Sequence, residues 1–195
     1  MERFDDFVIQ SAHRSDAPII ATAVMEAVGS EICMNFAGSA ERLSLVTEVF
    51  ERLASDDCSQ YSYRNALVAV APGGRVAGVI VAYDGALLHS LRPRFIEIAN
   101  EVLGLHMSDE DFVDETDESE VYIDSLYVLS EYRGRGLAGA LIEAAIKRNS
   151  DCGKPAGLLV DPDNPKARKV YERLGFRDVG MRPFADVMMH HMQRG

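Results

Sequence analysis

The sequence predicts an α/β domain, and three observations carry that prediction. A strand-like run, Leu126-Tyr127-Val128, enters a glycine-bearing loop, Arg133-Gly134-Arg135-Gly136, which opens directly into a helical stretch from Leu137. A second apolar run, Ala156 to Val160, leads into Asn164-Pro165, the side-chain cap and first-turn proline of a helix that Gly175 stops. Earlier in the chain, Pro72-Gly73-Gly74-Arg75 separates two short β-rich runs, which is a hairpin signal. Strands and helices therefore alternate along one chain.

The elements follow in order. Phe7 to Arg14 reads as a first strand, and Asp16 with Pro18 opens an apolar helix, Ile19 to Val28, that ends at Gly29. A second helix spans about Ser39 to Leu53, with Leu43, Val46, Val49, Phe50 and Leu53 at helical spacing. Ala66 to Ala71 and Val76 to Tyr83 form the hairpin strands. Pro93 starts another helix that runs to Leu105. Val121 to Val128 is the central strand, and the chain ends in a hairpin-like pair, Phe176 to Met181 and Phe184 to Met192. Neither a repeat nor a linker divides residues 1–195, so one domain is expected.

Composition bounds the function. With 195 residues, 47% hydrophobic and 26% charged, the chain has enough apolar material for a sizeable core. A net charge of −11 argues against nucleic acid, whose phosphates would be repelled, and suits a cationic substrate. Cys33, Cys58 and Cys152 are odd in number and widely spaced, so reduced thiols are expected rather than a disulfide set or a zinc site. The five histidines are scattered, and adjacent His190 and His191 in a strand would face opposite sides, so no metal centre is expected. The Met-rich ending, Met188, Met189 and Met192, reads as core filling. With neither an apolar leader nor a membrane-length apolar run, a cytoplasmic protein is expected, a homodimer remaining open.

The glycine loop is the informative feature. At a helix N-terminus successive backbone N–H groups lack intrahelical partners, and glycine removes the Cβ that would hold a phosphate away. Read literally, Gly134-x-Gly136-x-x-Gly139 with Asp161 downstream also matches a Rossmann dinucleotide fingerprint. Leu129 to Arg133 intervene between strand and first glycine, however, and a meander precedes the strand; both disfavour a nucleotide-dependent oxidoreductase. Further on, Asn164, Ala167 and Tyr171 share one helix face at i, i+3, i+7.

Together, the loop Arg133-Gly134-Arg135-Gly136-Leu137-Ala138 and the pattern Asn164, Ala167, Tyr171, Gly175 and Phe176 resemble the GNAT superfamily of N-acetyltransferases. The likeness covers Glu120 to Phe176 well and is one of architecture elsewhere. It implies an acyl-CoA N-acyltransferase fold, with a mixed, mostly antiparallel central sheet flanked by helices. It implies acetyl-CoA as cosubstrate, its pyrophosphate on the glycine loop and its pantetheine arm along Leu126, Tyr127 and Val128, with Asn164, Ala167 and Tyr171 closing the site. The implied reaction is direct attack by a primary amine, small-molecule or peptide; a non-catalytic acetyl-CoA sensor is the alternative. Tyr171 would protonate the departing thiolate, although a packing tyrosine would look the same in the sequence. A phenol of pKa about 10 giving a proton to a thiolate whose acid is near 8.5 is slightly uphill in water, and desolvation of the thiolate helps it.

Glu120, Tyr122 and Asp124 alternate onto one strand face with Leu126 and Val128. The resemblance makes Asp124 the first candidate base, since members of the family often carry an acid near this place on the strand, and Glu120, higher up the same face, the second, against a structural ion pair for Asp124. Eight of the twelve residues from Asp109 to Glu120 are acidic, so this loop is expected to be solvated, as a surface connection or as an electrostatic funnel for an amine.

Overall fold

The computed structural model describes residues 2–185 and 187–195. Eight strands form a single sheet in the order β1-β2-β3-β4-β5-β6-β8-β7. They are β1 (Glu2–Phe4), β2 (Phe7–Ser11), β3 (Ala66–Val70), β4 (Val76–Asp84), β5 (Val121–Val128), β6 (Ala156–Val160), β7 (Arg177–Phe184) and β8 (Val187–Arg194). Every neighbouring pair is antiparallel except β5 and β6. The helices are α1 (Ala17–Val28), α2 (Ser30–Ala37), α3 (Leu43–Ser55), α4 (Leu88–Leu103), α5 (Leu137–Arg148) and α6 (Pro165–Arg173). This is the mixed, mostly antiparallel sheet flanked by helices that the sequence predicts, and its antiparallel meander is incompatible with a parallel Rossmann sheet.

Two cores lie on opposite faces of the sheet. On one, Ile20 and Val24 of α1, Val46, Val49, Phe50 and Leu53 of α3, and Phe95 and Ile98 of α4 pack on Val68, Val79 and Val81. On the other, Leu137, Leu141 and Ile142 of α5 cover Phe7, Leu67, Ala69, Ile80 and Ile123, joined by Leu158 and Met192. The helical spacing in α3 and α5 is thus a buried stripe facing a sheet.

Several boundaries depart from the sequence reading. The short β1 and α2 were not expected. At Gly29, φ of +92° lets the chain stop α1 and restart as α2 one residue later. The first long strand ends at Ser11 rather than Arg14, and α3 begins at Leu43 after a short 3-10 turn at Ala40–Arg42. Helix α4 starts at Leu88, five residues earlier than proline spacing suggests, with Pro93 inside it. Burial of Leu88, Arg92 and Phe95 along one side offsets the hydrogen bond that proline cannot donate. Of the three late methionines only Met192 is core; Met188 stands 51% exposed.

The acidic segment 109–120 is not simply a solvated loop. Arg92, 2% exposed, reaches from α4 to Asp109 (3.3 Å), Asp114 (2.8 Å) and Glu115 (2.9 Å), and its Nη2 also donates to the Val113 carbonyl. Glu115, Thr116 and Glu120 are buried. One guanidinium thus converts the middle of an acidic run into a strap over the sheet. Burial raises the Glu115 carboxyl above its usual range, against the pull of Arg92.

Among the described residues no single helix is long and apolar enough to cross a membrane. The apolar stripes of α1 and α2 face the core.

Candidate active site

Strand β5 pairs with β6 only at Val121–Ala156 and Tyr122–Gly157, and then the two part. On its other side β5 stays paired with β4 as far as Val128–Gly78. The parting opens a wedge in the sheet, and a cavity of about 670 Å³ lies there. Leu126, Tyr127 and Val128 line one wall; Arg133, Gly134, Gly136, Leu137 and Ala138 form the loop end; Ala167 and Tyr171 of α6 stand opposite. These residues, nominated from three separate stretches of sequence, meet in one cleft.

The loop end is built for an anion. Gly134 and Gly136 take left-handed φ values of +75° and +79°, and Gly136 is the N-cap of α5. The first intrahelical bond runs from Ala140 N–H to the Gly136 carbonyl, so the N–H groups of Leu137, Ala138 and Gly139 have no helical acceptors. A Cβ on Gly134 would meet no heavy atom within 4 Å, whereas one on Gly136 would lie 3.2 Å from the Phe4 ring of β1. Gly139 serves packing: its Cβ position is 3.0 Å from Leu174, which explains the third glycine without a dinucleotide. The arginines divide. Arg133 Nε donates to the Val128 carbonyl at 2.8 Å while its guanidinium lies over Tyr127, and it lines the cavity. Arg135 instead stacks on the Phe7 ring at 4.7 Å and does not line it, a departure from the sequence expectation.

Helix α6 presents Ala167, Val170 and Tyr171 to the cleft, joined by Leu174 at its C-cap. Asn164 is not in the lining; its Oδ1 accepts from Ala167 N–H at 3.1 Å, so its part is to start the helix that carries Tyr171. Tyr171 packs edge-on against Phe176, and burial pushes its phenol up to about 12, so it keeps its proton through the physiological range.

The two carboxyl candidates separate. Glu120 is wholly buried and its oxygens are occupied: Thr116 Oγ1 donates at 2.8 Å, and His191 Nε2 and Gln193 Nε2 lie 2.8 Å from Oε2. Gly157 leaves the room for this, since a Cβ there would fall 1.6 Å from Glu120 Oε2. Glu120 therefore ties the strap, β5 and β8 together and faces no substrate space. Asp124 keeps some exposure but is not in the cavity lining either, and burial pushes its carboxyl up to about 7, against the hydrogen bonds it accepts.

The expected alternation of Asp124 with Leu126 and Val128 fails at a β-bulge. Val81 pairs with Ser125 and Ala82 with Ile123, so Asp124 is the extra residue. Ile123, Leu126 and Val128 accordingly pack on the α5 side, while Asp124 reaches Tyr83.

The cavity also takes in residues that the sequence reading did not nominate: Glu26 of α1, Tyr132, Gly139, Val170, Arg173 and Leu174. Val170 and Leu174 were accessible from the helical period through Ala167 and Tyr171; nothing in the sequence marks Glu26. Among the described residues no group of three or more His, Cys, Asp or Glu could hold a metal ion.

Comparison with known proteins agrees with this geometry. A crystallised acetyltransferase is 29% identical with a TM-score of 0.73, covering 96% of this chain and 98% of its own. An N-acetyltransferase from Staphylococcus aureus Mu50 superposes with a TM-score of 0.69 at 23% identity, over 95% of this chain and 99% of its own, which is a likeness of fold. The mycothiol acetyltransferase of Corynebacterium aurimucosum is 47% identical over 58 residues, 29% of this chain; the match spans only 18% of that relative. Residues 42–176, which include the hairpin, the strap, the glycine loop and the whole of α6, match the Acetyltransferase (GNAT) family, and the chain belongs to that family.

Proposed function

We propose that the protein transfers the acetyl group of acetyl-CoA to a primary amine by direct attack. The observation that carries this reading is the convergence of the unpaired helix-start N–H groups, the open edge of β5 and a proton-bearing Tyr171 on one cleft. The loop from Gly134 to Ala138 is suited to hold the pyrophosphate, with Arg133 adding positive charge at its edge. The β5 backbone around Leu126 and Tyr127, unpaired with β6, is suited to bond the pantetheine amides, while the Val128 carbonyl already accepts from Arg133 Nε. Acetyl-CoA supplies an activated thioester, and the protein's task is alignment, charge stabilisation and proton transfer. Asp124, with an affinity for protons near neutrality, takes the proton of the incoming ammonium, and Tyr171 gives one to the departing sulfur. A net charge of −11 favours a cationic acceptor.

Two measurements test the reading. Acetyl-CoA or CoA at a hundredfold excess over its dissociation constant stabilises the native state by about 2.7 kcal/mol, a rise in Tm of about 5–10 °C for a chain of this size. NAD(P)H produces none; the reverse pattern overturns the assignment. A panel of amines assayed for free-thiol release with acetyl-CoA then identifies the acceptor, and release with no amine in the panel, together with a CoA shift, favours a sensor.

Gly136→Glu places a carboxylate among the helix-start N–H groups and is expected to abolish the CoA-dependent rise in Tm. Gly136→Ala carries the same backbone strain, about 1–2 kcal/mol, without the charge and is expected to retain part of it. Equal CoA affinity in folded Gly136→Glu would remove the loop from the site.

A further inference from the structure

We infer that Ser125 and Tyr83 are positioning residues of the transfer, a pair of hydroxyls that hold the Asp124 carboxylate at both oxygens and set its readiness to accept a proton. The inference rests on Asp124 as the base in the reading above. Ser125 Oγ donates to Asp124 Oδ1 at 2.7 Å, and Tyr83 Oη lies 3.5 Å from Oδ2, longer than an ordinary O–H···O bond and so the weaker of the two contacts.

The bulge makes this arrangement. Side chains of consecutive residues in a regular strand point to opposite faces, so Ser125 could not reach its neighbour's carboxylate. With Asp124 as the extra residue opposite the Val81–Ala82 step, the two side chains come together. Ser125 is 1% exposed and Tyr83 2% exposed, so neither hydroxyl is free to bond bulk water instead. Tyr83 is held in place by edge-on contact with Tyr122 at 5.9 Å between ring centroids.

The surroundings give these two donors weight. The groups near enough to act on Asp124 are Tyr83 on β4, Tyr122 on β5, Tyr61 from the segment after α3, and Glu115 from the strap. Glu115 raises the proton affinity of Asp124, and Arg92 is already engaged with three carboxylates. Helix α1, packed on β5, contributes a buried stripe of Ala17, Ile20, Ala21, Ala23 and Val24 and one carboxylate, Glu26, which lines the cavity beside Leu126 and Tyr127. Among the described residues no cation is hydrogen-bonded to Asp124, and the two hydroxyls oppose burial and Glu115. Loss of either donor therefore raises the proton affinity of the carboxylate.

The test uses Ser125→Ala, Tyr83→Phe and the double variant, with Asp124→Asn beside them. Each rate is divided by the wild-type rate at the same pH, which cancels the titration of the amine itself. In the double variant the Asp124 midpoint is expected to rise by about one pH unit. That shift lowers relative kcat about tenfold at pH 6 and leaves it nearly whole at pH 9, with the KM for acetyl-CoA unchanged. The carboxyl carbon signal of Asp124, followed by NMR, moves its midpoint in the same direction without any turnover. Rates that fall equally at all pH values, or an unmoved carboxyl midpoint, overturn the inference. Should Asp124→Asn keep the full wild-type pH profile, the base assignment falls and this inference with it. Should that variant lose the profile while the hydroxyl variants leave it in place, only the positioning role falls.

Discussion

Tyr171→Phe is expected to lower turnover about a hundredfold or more while leaving the fold and the CoA-dependent rise in Tm intact. The ring stays, so its edge-on packing with Phe176 and its place in the α6 wall stay with it. Only the proton donor goes. A phenol pushed up to about 12 is a reluctant acid toward water, but a thiolate set free in the same desolvated cleft is correspondingly more basic. The wild-type enzyme should show no fall in rate assignable to this phenol across the physiological range, because it remains protonated there. Single-turnover kinetics with saturating acetyl-CoA measure the effect. Undiminished turnover in Tyr171→Phe would make Tyr171 a wall residue and leave the sulfur to take its proton from water.

The largest effect on stability is expected at Arg92→Met, which keeps the aliphatic stem and removes the charge. Glu115 would then be buried without its partner at 2.9 Å, a defect costing about 3–5 kcal/mol. The sign of its pH dependence follows from Glu115. Its carboxyl is already above the usual range, and without Arg92 it rises further, so the buried proton-bearing form is the tolerated one. The stability lost is therefore greatest above that raised pKa and is partly recovered as the pH falls through it. Denaturant unfolding of both proteins at pH 5 and pH 8 checks this; a deficit that does not shrink toward pH 5 would mean that the strap is held by its other contacts. Arg92→Met combined with Glu115→Gln should recover stability at pH 8.

What the sequence disclosed about the fold and the site has physical reasons. Strand β5 and helix α6 were legible because their signals are local: an apolar run leading into glycines, and a capping asparagine followed by proline with a glycine stop. Helical period puts Ala167 and Tyr171 on one face, and the family resemblance, not the period, points that face at a site. Strand β1 and helix α2 are too short to show a period, and they are held by tertiary contacts, as Phe4 against Gly136 illustrates. The strap was misread because composition reports how many acids a segment has and not where a cation from another helix meets them. The face of Asp124 was misread because alternation assumes a regular strand, and a bulge leaves no mark in the residue types around it. Glu120 fits a base by sequence position, but three partners from Thr116, His191 and Gln193 claim it.

The brief parallel pairing of β5 with β6 has a mechanical consequence. Tyr171 rides with β6, β8 and β7 on one arm of the molecule, while Asp124 rides with β4 and β5 on the other. The arms are hinged at Val121 and Tyr122, where Glu120 rivets β5 to His191 and Gln193 of β8. Away from that pivot they touch again where Leu174 meets Gly139 of α5. Any small rotation about the rivet would be magnified with distance along the strands, so the span between Asp124 and Tyr171 depends on a buried carboxylate that lines no part of the cavity.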